Sequence, residues 1–238
     1  MKILLLGYGK MGQMIEKLAI DRNHSIVAKI TEDNRNDLDS LSTDDIDVAI
    51  DFSQPSAAPD NIKWCVGHKI PVVVGTTGWA SHKAEIDQYC NDNGGTYLVA
   101  SNFSIGVNIF FKLNKFLAKL MNGQTDYEVS MKEIHHTHKL DAPSGTAITL
   151  AEGVMENLPS KTKWVNQASD KPEELSIISE RVDPAPGTHS IQYDSRIDSI
   201  EITHTAHSRE GFAMGALLVA EWLPSQKGVK TMEDFLQF

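Results

Sequence analysis

Apolar residues fall in two rhythms along this chain. Over the first hundred positions, short unbroken apolar runs alternate with stretches at helical spacing; beyond position 102 the pattern changes to one long apolar helix and then residue-by-residue alternation. Ile3, Leu4, Leu5 and Leu6 make a run of strand length, and past a glycine-rich turn Met14, Ile15, Leu18 and Ala19 recur on one helical face over residues 13–20. Residues 25–30 predict a second strand, 31–40 a polar loop, and 47–52 a third buried strand closed by Ser53, Gln54 and Pro55. A helix over 57–66, a strand over 70–74, a helix over 80–90 and a strand over 96–100 continue the series. Buried strands separated by helices imply right-handed crossovers, hence an α/β, Rossmann-like doubly wound parallel sheet.

The second rhythm predicts an α+β domain. A helix over 107–121 precedes a strand over 127–134, a histidine-bearing loop and a helix over 146–157. Segments 176–181, 189–194 and 199–204 alternate between polar turns and read as antiparallel strands. The apolar helix 212–223 is expected to return to the first domain, which makes that domain discontinuous: 1–104 plus 212–238, with 105–211 as the second.

Charge narrows the partners. Twenty-two Lys and Arg against 32 Asp and Glu give a net charge of −10, so nucleic acid and anionic membrane surfaces are repelled and no partner of either kind is expected. No apolar run approaches the ~18 residues of a membrane span, and the N-terminal run is too short for a signal-peptide core, which points to the cytoplasm. Cys65 and Cys90 stand at no metal-ligand spacing and suit a reducing compartment as core thiols.

Gly7-Tyr8-Gly9-Lys10-Met11-Gly12 sits where the first strand gives way to the first helix. Glycines there let the backbone approach a pyrophosphate, whose charge suits the free N–H groups and positive end of the helix. The same turn without a ligand is the plainer reading; position and alternation favour dinucleotide binding. Ligands of open parallel sheets lie at the strand carboxyl ends, so Phe52, Gly75 and Ala100 are expected around the same crevice.

A second constellation runs from Glu133 to Ala147: Glu-Ile-His-His-Thr-His-Lys-Leu-Asp-Ala-Pro-Ser-Gly-Thr-Ala. Three histidines and a lysine within five positions concentrate donors suited to a carboxylate or a proton in transit. His135, His136 and His138 also suggest a metal site, or simply a solvated loop. No Cys completes a zinc set and the spacing is not that of a helical His pair, so no metal is expected. Ser144 can cap the following helix and leave the amides of Gly145 and Thr146 open at its positive end, an anion site.

Together with Asp-Phe-Ser at 51–53, Gly-Thr-Thr-Gly at 75–78, Asn-Phe-Ser-x-Gly at 102–106 and Ile-Thr-His at 202–204, these motifs make nearly the whole chain resemble the 4-hydroxy-tetrahydrodipicolinate reductase family. The resemblance implies NADH- or NADPH-dependent reduction of a cyclic dicarboxylate to tetrahydrodipicolinate in the diaminopimelate route to lysine, by a cytoplasmic homotetramer. Carried over by motif position, His135 is the expected acid/base residue and Lys139 the proton donor. His136, Gly145 and Thr146 would hold substrate carboxylates with Ser144 in support. Gly7, Tyr8, Gly9, Lys10, Met11 and Gly12 would hold the pyrophosphate; Gly75, Thr76, Thr77, Ala100, Ser101, Asn102 and Phe103 would meet the nicotinamide half.

After the second strand, Thr31-Glu32-Asp33 supplies carboxylates that favour a ribose hydroxyl over a phosphate, Glu32 foremost, while Lys10 and Arg35 can offset them. The expectation is dual cofactor use with a mild NADH preference. Met214 stands where the resemblance leads one to expect Asn. Bringing a cofactor held by one domain to a dicarboxylate held by the other implies hinges near 102–106 and 209–212. Two other functions remain open at this point: a dehydrogenase of another carboxylated substrate such as aspartate, and a nucleotide-sensing protein without turnover.

Overall fold

The computed structural model describes residues 1–238. In chain order the elements are β1 (Lys2–Leu6), α1 (Lys10–Asp21), β2 (Ser25–Ile30), β3 (Val48–Asp51), α2 (Ala58–Gly67), β4 (Val72–Val74), α3 (Lys83–Asp92), β5 (Thr96–Val99), α4 (Ile105–Met121), β6 (Glu128–His135), α5 (Gly145–Asn157), β7 (Lys163–Val165), β8 (Glu174–Arg181), β9 (Thr188–Asp194), β10 (Ser199–Thr205), α6 (Glu210–Trp222), β11 (Gly228–Lys230) and α7 (Met232–Leu236). They divide into two compact units, Met1–Ile105 with Glu210–Phe238, and Gly106–Arg209.

The first unit is a six-stranded sheet in the order β11-β5-β4-β3-β1-β2, with every pairing parallel. This is the doubly wound α/β architecture. Strand periodicity explains the unbroken apolar runs: Ile3 and Leu5 face one core with α1 and α6, while Leu4 and Leu6 face the other with α2 and α3. Helix α6 buries Ala213, Gly215, Ala216, Leu217, Val219 and Ala220, and a Cβ on Gly215 would lie 1.9 Å from the Phe103 carbonyl oxygen. Met214 leans on the same apolar cluster.

Three local features differ from the sequence pattern. The polar stretch after β2 is not all loop, since Arg35–Ser40 forms a 3-10 helix that buries Leu38. The first helix starts at Lys10, inside the glycine motif. β11 escapes periodicity because three residues carry none, yet it pairs in parallel with Thr96, Tyr97 and Leu98 at the sheet edge.

The second unit is a five-stranded sheet, β10-β9-β6-β8-β7. It is mixed, which corrects the antiparallel expectation: β6 with β9 and β9 with β10 are antiparallel, but β8 runs parallel to both β6 and β7. The physical reason is the connection, because helix α5 lies between β6 and β8 and a helical crossover returns the chain in the same direction. Val129, Met131, Ile177, Ile191 and Tyr193 pack from one sheet face against Phe110, Ala118, Leu150 and Val154 of α4 and α5. The buried Asn114 Nδ2 donates to the Leu150 carbonyl at 2.8 Å and ties the two helices together. No helix is long and apolar enough to cross a membrane.

Candidate active site

In the first unit the three glycines of the turn do different work. Gly7 has φ of +92°, and a Cβ there would lie 2.1 Å from the Phe52 carbonyl oxygen, so only glycine lets the end of β1 pass the end of β3. Gly12 packs α1 onto the turn, where a Cβ would fall 2.5 Å from the Gly7 carbonyl oxygen. Gly9 has nothing within 4 Å of its Cβ position and caps α1 without a side-chain bond. The open face of the turn is therefore backbone N–H at a helix N-terminus, which suits a phosphate.

That face borders a cavity of about 540 Å³ lined by Gly7, Tyr8, Gly9, Glu32, Arg35 and Phe52 among others. Tyr8 is fixed there because its hydroxyl donates to Glu16, while Lys29 pairs with Glu16 at 2.6 Å. The bend after β2 is built by Asn34, whose Oδ1 accepts from the Thr31 amide at 2.6 Å and leaves Glu32 exposed. Lys10, Met11 and Gly12 form the first turn of α1 and do not line the cavity.

The remaining residues expected on the cofactor side sit at the ends of β4 and β5. Asp51, buried at the end of β3, accepts from Thr76 Oγ1 at 2.5 Å, Asn61 Nδ2 at 2.8 Å and Ser53 Oγ at 2.8 Å. Burial raises its pKa against the opposing pull of these donors, and it ties the loops after β3 and β4 to helix α2. The Thr76 hydroxyl is thus committed inside the protein, and a Cβ on Gly75 would strike the Phe52 ring at 2.1 Å. Phe103 is a core side chain, 2% exposed. Thr77, Ala100, Ser101 and Asn102 follow the two strand ends.

In the second unit the strand register sets the site. Val129, Met131, Glu133 and His135 share one face of β6; the first two enter the apolar core, so the next two are carried inward. Glu133 is fully buried and receives the Ser144 amide at 3.1 and 3.2 Å from its two oxygens, with Arg181 Nη2 3.1 Å from Oε1. His135 Nδ1 lies 3.2 Å from Glu133 Oε2 and His189 Nε2 lies 3.7 Å from it. Burial pushes the Glu133 carboxyl up, but His135, Ser144, Ser179 and Arg181 outweigh it and hold the group well below the usual carboxylate range. Burial, with His135 nearby, lowers His189 to about 4 despite Glu133, so His189 is neutral at pH 7.

The loop is fastened to this centre. Arg181 also donates to the carbonyls of Lys139 at 3.3 Å and Asp141 at 2.5 Å. Lys139 Nζ reaches both Asp141 oxygens at 2.8 and 2.9 Å, a pairing that lowers the Asp141 pKa. Arg209 Nη2 lies 3.1 Å from His136 Nε2, and His138 is exposed with no role in the centre. Ser144 caps α5 by accepting from the Ala147 amide at 3.2 Å, and its Oγ lies 3.1 Å from His189 Nε2. The amides of Gly145 and Thr146 meet no protein acceptor at that helix start.

Glu133, His135 and His189 bring ligand atoms within 4.8 Å of one another, and Arg181 and the Ser144 amide already engage the carboxylate. Sequence reading missed Glu133, Arg181, His189 and Arg209. Glu133 had a signal, since it sits in the apolar register of β6. The others come from 48, 54 and 73 residues away from the side chains they meet at Glu133, His135 and His136, taken from Glu133–Arg181, His135–His189 and His136–Arg209 respectively, and only the last and first of these separations are hydrogen-bonded contacts.

Known proteins resemble the chain over nearly its whole length. The family model described as dihydrodipicolinate reductase, N-terminus, matches residues 1–103, and that described as dihydrodipicolinate reductase, C-terminus, matches 106–236. A 4-hydroxy-tetrahydrodipicolinate reductase of Christiangramia forsetii is 50% identical over 236 residues, covering 99% of this chain and 98% of that protein. Another, from Caldanaerobacter subterraneus subsp. tengcongensis, is 34% identical over 242 residues, with 96% and 95% covered. A dipicolinate-bound dihydrodipicolinate reductase from Paenisporosarcina sp. TG-14 has the same fold, with a TM-score of 0.77, 24% identity and 97% of each chain covered. With both halves matched in order and half of its residues shared with a full-length relative, the chain belongs to the dihydrodipicolinate reductase family.

Proposed function

We propose that the chain performs its family's nicotinamide-dependent reduction of 4-hydroxy-tetrahydrodipicolinate by dividing the work between its two units. The first would hold NADH or NADPH, with the pyrophosphate on the amides of the glycine turn and the ribose near Glu32. The second would hold the cyclic dicarboxylate, with one carboxylate on the Gly145 and Thr146 amides and the other among the donors of Lys139 and His136.

When bound, the nicotinamide supplies a hydride. Replacing the 4-hydroxyl by hydrogen takes up that hydride and one proton and releases water: loss of water moves a proton from the neighbouring ring carbon to the leaving oxygen, and a single proton is returned to that carbon once the hydride is in place. His135 serves as acid/base group, and Lys139 donates the proton as charge develops on the ring. The ion pair of Lys139 with Asp141 holds the side chain at the loop until a carboxylate competes for it. Exchange of units at 105/106 and 209/210 is where we place the hinges.

The observation that carries this reading is the buried Glu133 centre, which joins the catalytic loop and the open helix start in one hydrogen-bonded assembly. Absorbance at the nicotinamide band tests it, with the cyclic substrate against aspartate as control. Turnover with the former is expected; turnover with aspartate alone would overturn the reading. Dual cofactor use with a mild NADH preference rests on Glu32 and Arg35 lining one cavity. A cytoplasmic homotetramer rests on the resemblance together with two unpaired buried thiols, and sedimentation as four copies of a 26.3 kDa chain checks the assembly.

A further inference from the structure

Glu133 is the fully buried carboxylate of the second unit. Burying a carboxylate costs several kcal/mol unless its partners are well placed, and an apolar residue in this register would extend the core cluster already formed by Val129 and Met131. Stability alone therefore does not account for an acid here. Its partners are instead parts of the proposed substrate site: the first amide before α5, the guanidinium that clamps residues 139 and 141, and the ring of His135.

The His135 ring is confined by three neighbours, Glu133, Gly187 and His189. Its Nδ1 is buried, and Glu133 Oε2 at 3.2 Å is the acceptor within reach, although off the line of a good hydrogen bond. Its Nε2 lies beside Gly187, where a Cβ would approach to 3.0 Å and where φ is +154°. The His189 ring meets it edge-on with centroids 5.0 Å apart. A ring held in this way keeps Nδ1–H toward the carboxylate and leaves Nε2 as the nitrogen that exchanges a proton, since the partner of one ring nitrogen sets the state of the other.

We propose that Glu133 is a positioning residue for the reaction: one oxygen side orients the His135 imidazole, and the Ser144 amide bond sets the first turn of α5, whose free amides receive a substrate carboxylate. The inference rests on the reading of His135 as acid/base group. Glu133 itself touches neither substrate nor cofactor.

A double-mutant cycle tests it. Glu133→Gln keeps the volume and an acceptor for Ser144 but removes the charge; Glu133→Asp keeps the charge but withdraws it from both partners. Each is made alone and in a His135→Ala background, with kcat, KM, the inhibition constant of pyridine-2,6-dicarboxylate and NADH affinity measured on the full chain. Glu133→Gln is expected to lower kcat about tenfold or more, while in the His135→Ala background the same change costs less than about twofold, because the two act as a unit. Glu133→Asp is expected to weaken the dicarboxylate more than Glu133→Gln does, since it pulls the acceptor from the Ser144 amide. NADH affinity should hold in all variants, and a urea melt of each reports folding. Full activity in either folded Glu133 variant, or an equal kcat loss with and without His135, overturns the proposal. Retained activity in His135→Ala alone instead overturns the reading beneath it. If Glu133→Gln does not melt cooperatively, the Glu133→Asp pair decides by the same coupling.

Discussion

The glycine turn of the first unit is made of backbone, and the cationic loop of the second is made of buried side-chain charge. At the turn, three glycines give close approach and a helix start gives donors, all within six residues of sequence. At the loop, donors and acceptors come from β6, α5, β8 and β9, and their geometry depends on the whole sheet. A backbone site binds a ligand common to many enzymes; a site of buried charge is tuned to one reaction. The two should therefore fail differently when altered.

The largest expected effect lies in the loop. Lys139→Ala is expected to lower kcat by ~10²–10⁴-fold, the usual worth of a positioned acid, with NADH affinity little changed. Stopped-flow or steady-state assays at saturating NADH, paired with a direct NADH titration, check this. A collapse of NADH affinity with normal turnover would erase the contrast between the units.

The turn sharpens the comparison through two glycines with opposite surroundings. Gly7→Ala meets the Phe52 carbonyl in a backbone region that favours glycine, and should destabilise the fold by about 2–4 kcal/mol. Gly9→Ala meets no protein atom and should cost under about 1 kcal/mol of stability while weakening NADH about tenfold. Urea melts and NADH titrations separate the two outcomes; an unchanged NADH affinity in Gly9→Ala would mean that the open side of Gly9 is not where the ligand lies.

Buried charge also predicts a pH signature that the turn lacks. His189 falls to about 4 in the folded chain against about 6.5 unfolded, so the unfolded state binds more protons between these values. Stability is then fully present above the unfolded pKa and is lost as pH falls from about 6.5 towards 4. Between pH 7.5 and 5 the loss is about 2 kcal/mol, and His189→Gln should remove that part of the pH dependence. Urea melts at the two pH values measure it; an unchanged slope in the variant would mean that His189 is not buried neutral.

How much of each region could be read from sequence follows the same division. The parallel sheet was legible because Ile3 to Leu6 and the motif after them carry their meaning locally, and the turn needed only its own six residues. His135, Lys139 and Ser144 stood out as a cluster of donors before a helix. Arg181 and His189 did not, because nothing near them in sequence marks them as partners of Glu133. The direction of β8 was also misread: alternation gives a strand and its buried face but not which neighbour it pairs with. Short edges such as β11 are invisible to any periodicity.

The smallest effect concerns the cofactor's ribose. Glu32 and Arg35 share the lining of one cavity, so NADH should be favoured over NADPH by less than about tenfold in kcat/KM, or about 1.4 kcal/mol. Moderate salt should weaken NADPH use selectively, because its extra phosphate depends on the screened cation Arg35. A strong NADPH preference that persists in salt would mean that Glu32 turns away from the ligand.

The division of labour itself is tested most directly by calorimetric titration of two variants with two ligands, each ligand added to the free protein. Gly9→Ala is expected to weaken NADH while binding pyridine-2,6-dicarboxylate as the parent does, and Lys139→Ala to weaken the dicarboxylate while binding NADH as the parent does. A variant that weakens both ligands equally, or a Lys139→Ala protein that binds the dicarboxylate unchanged, would contradict the account.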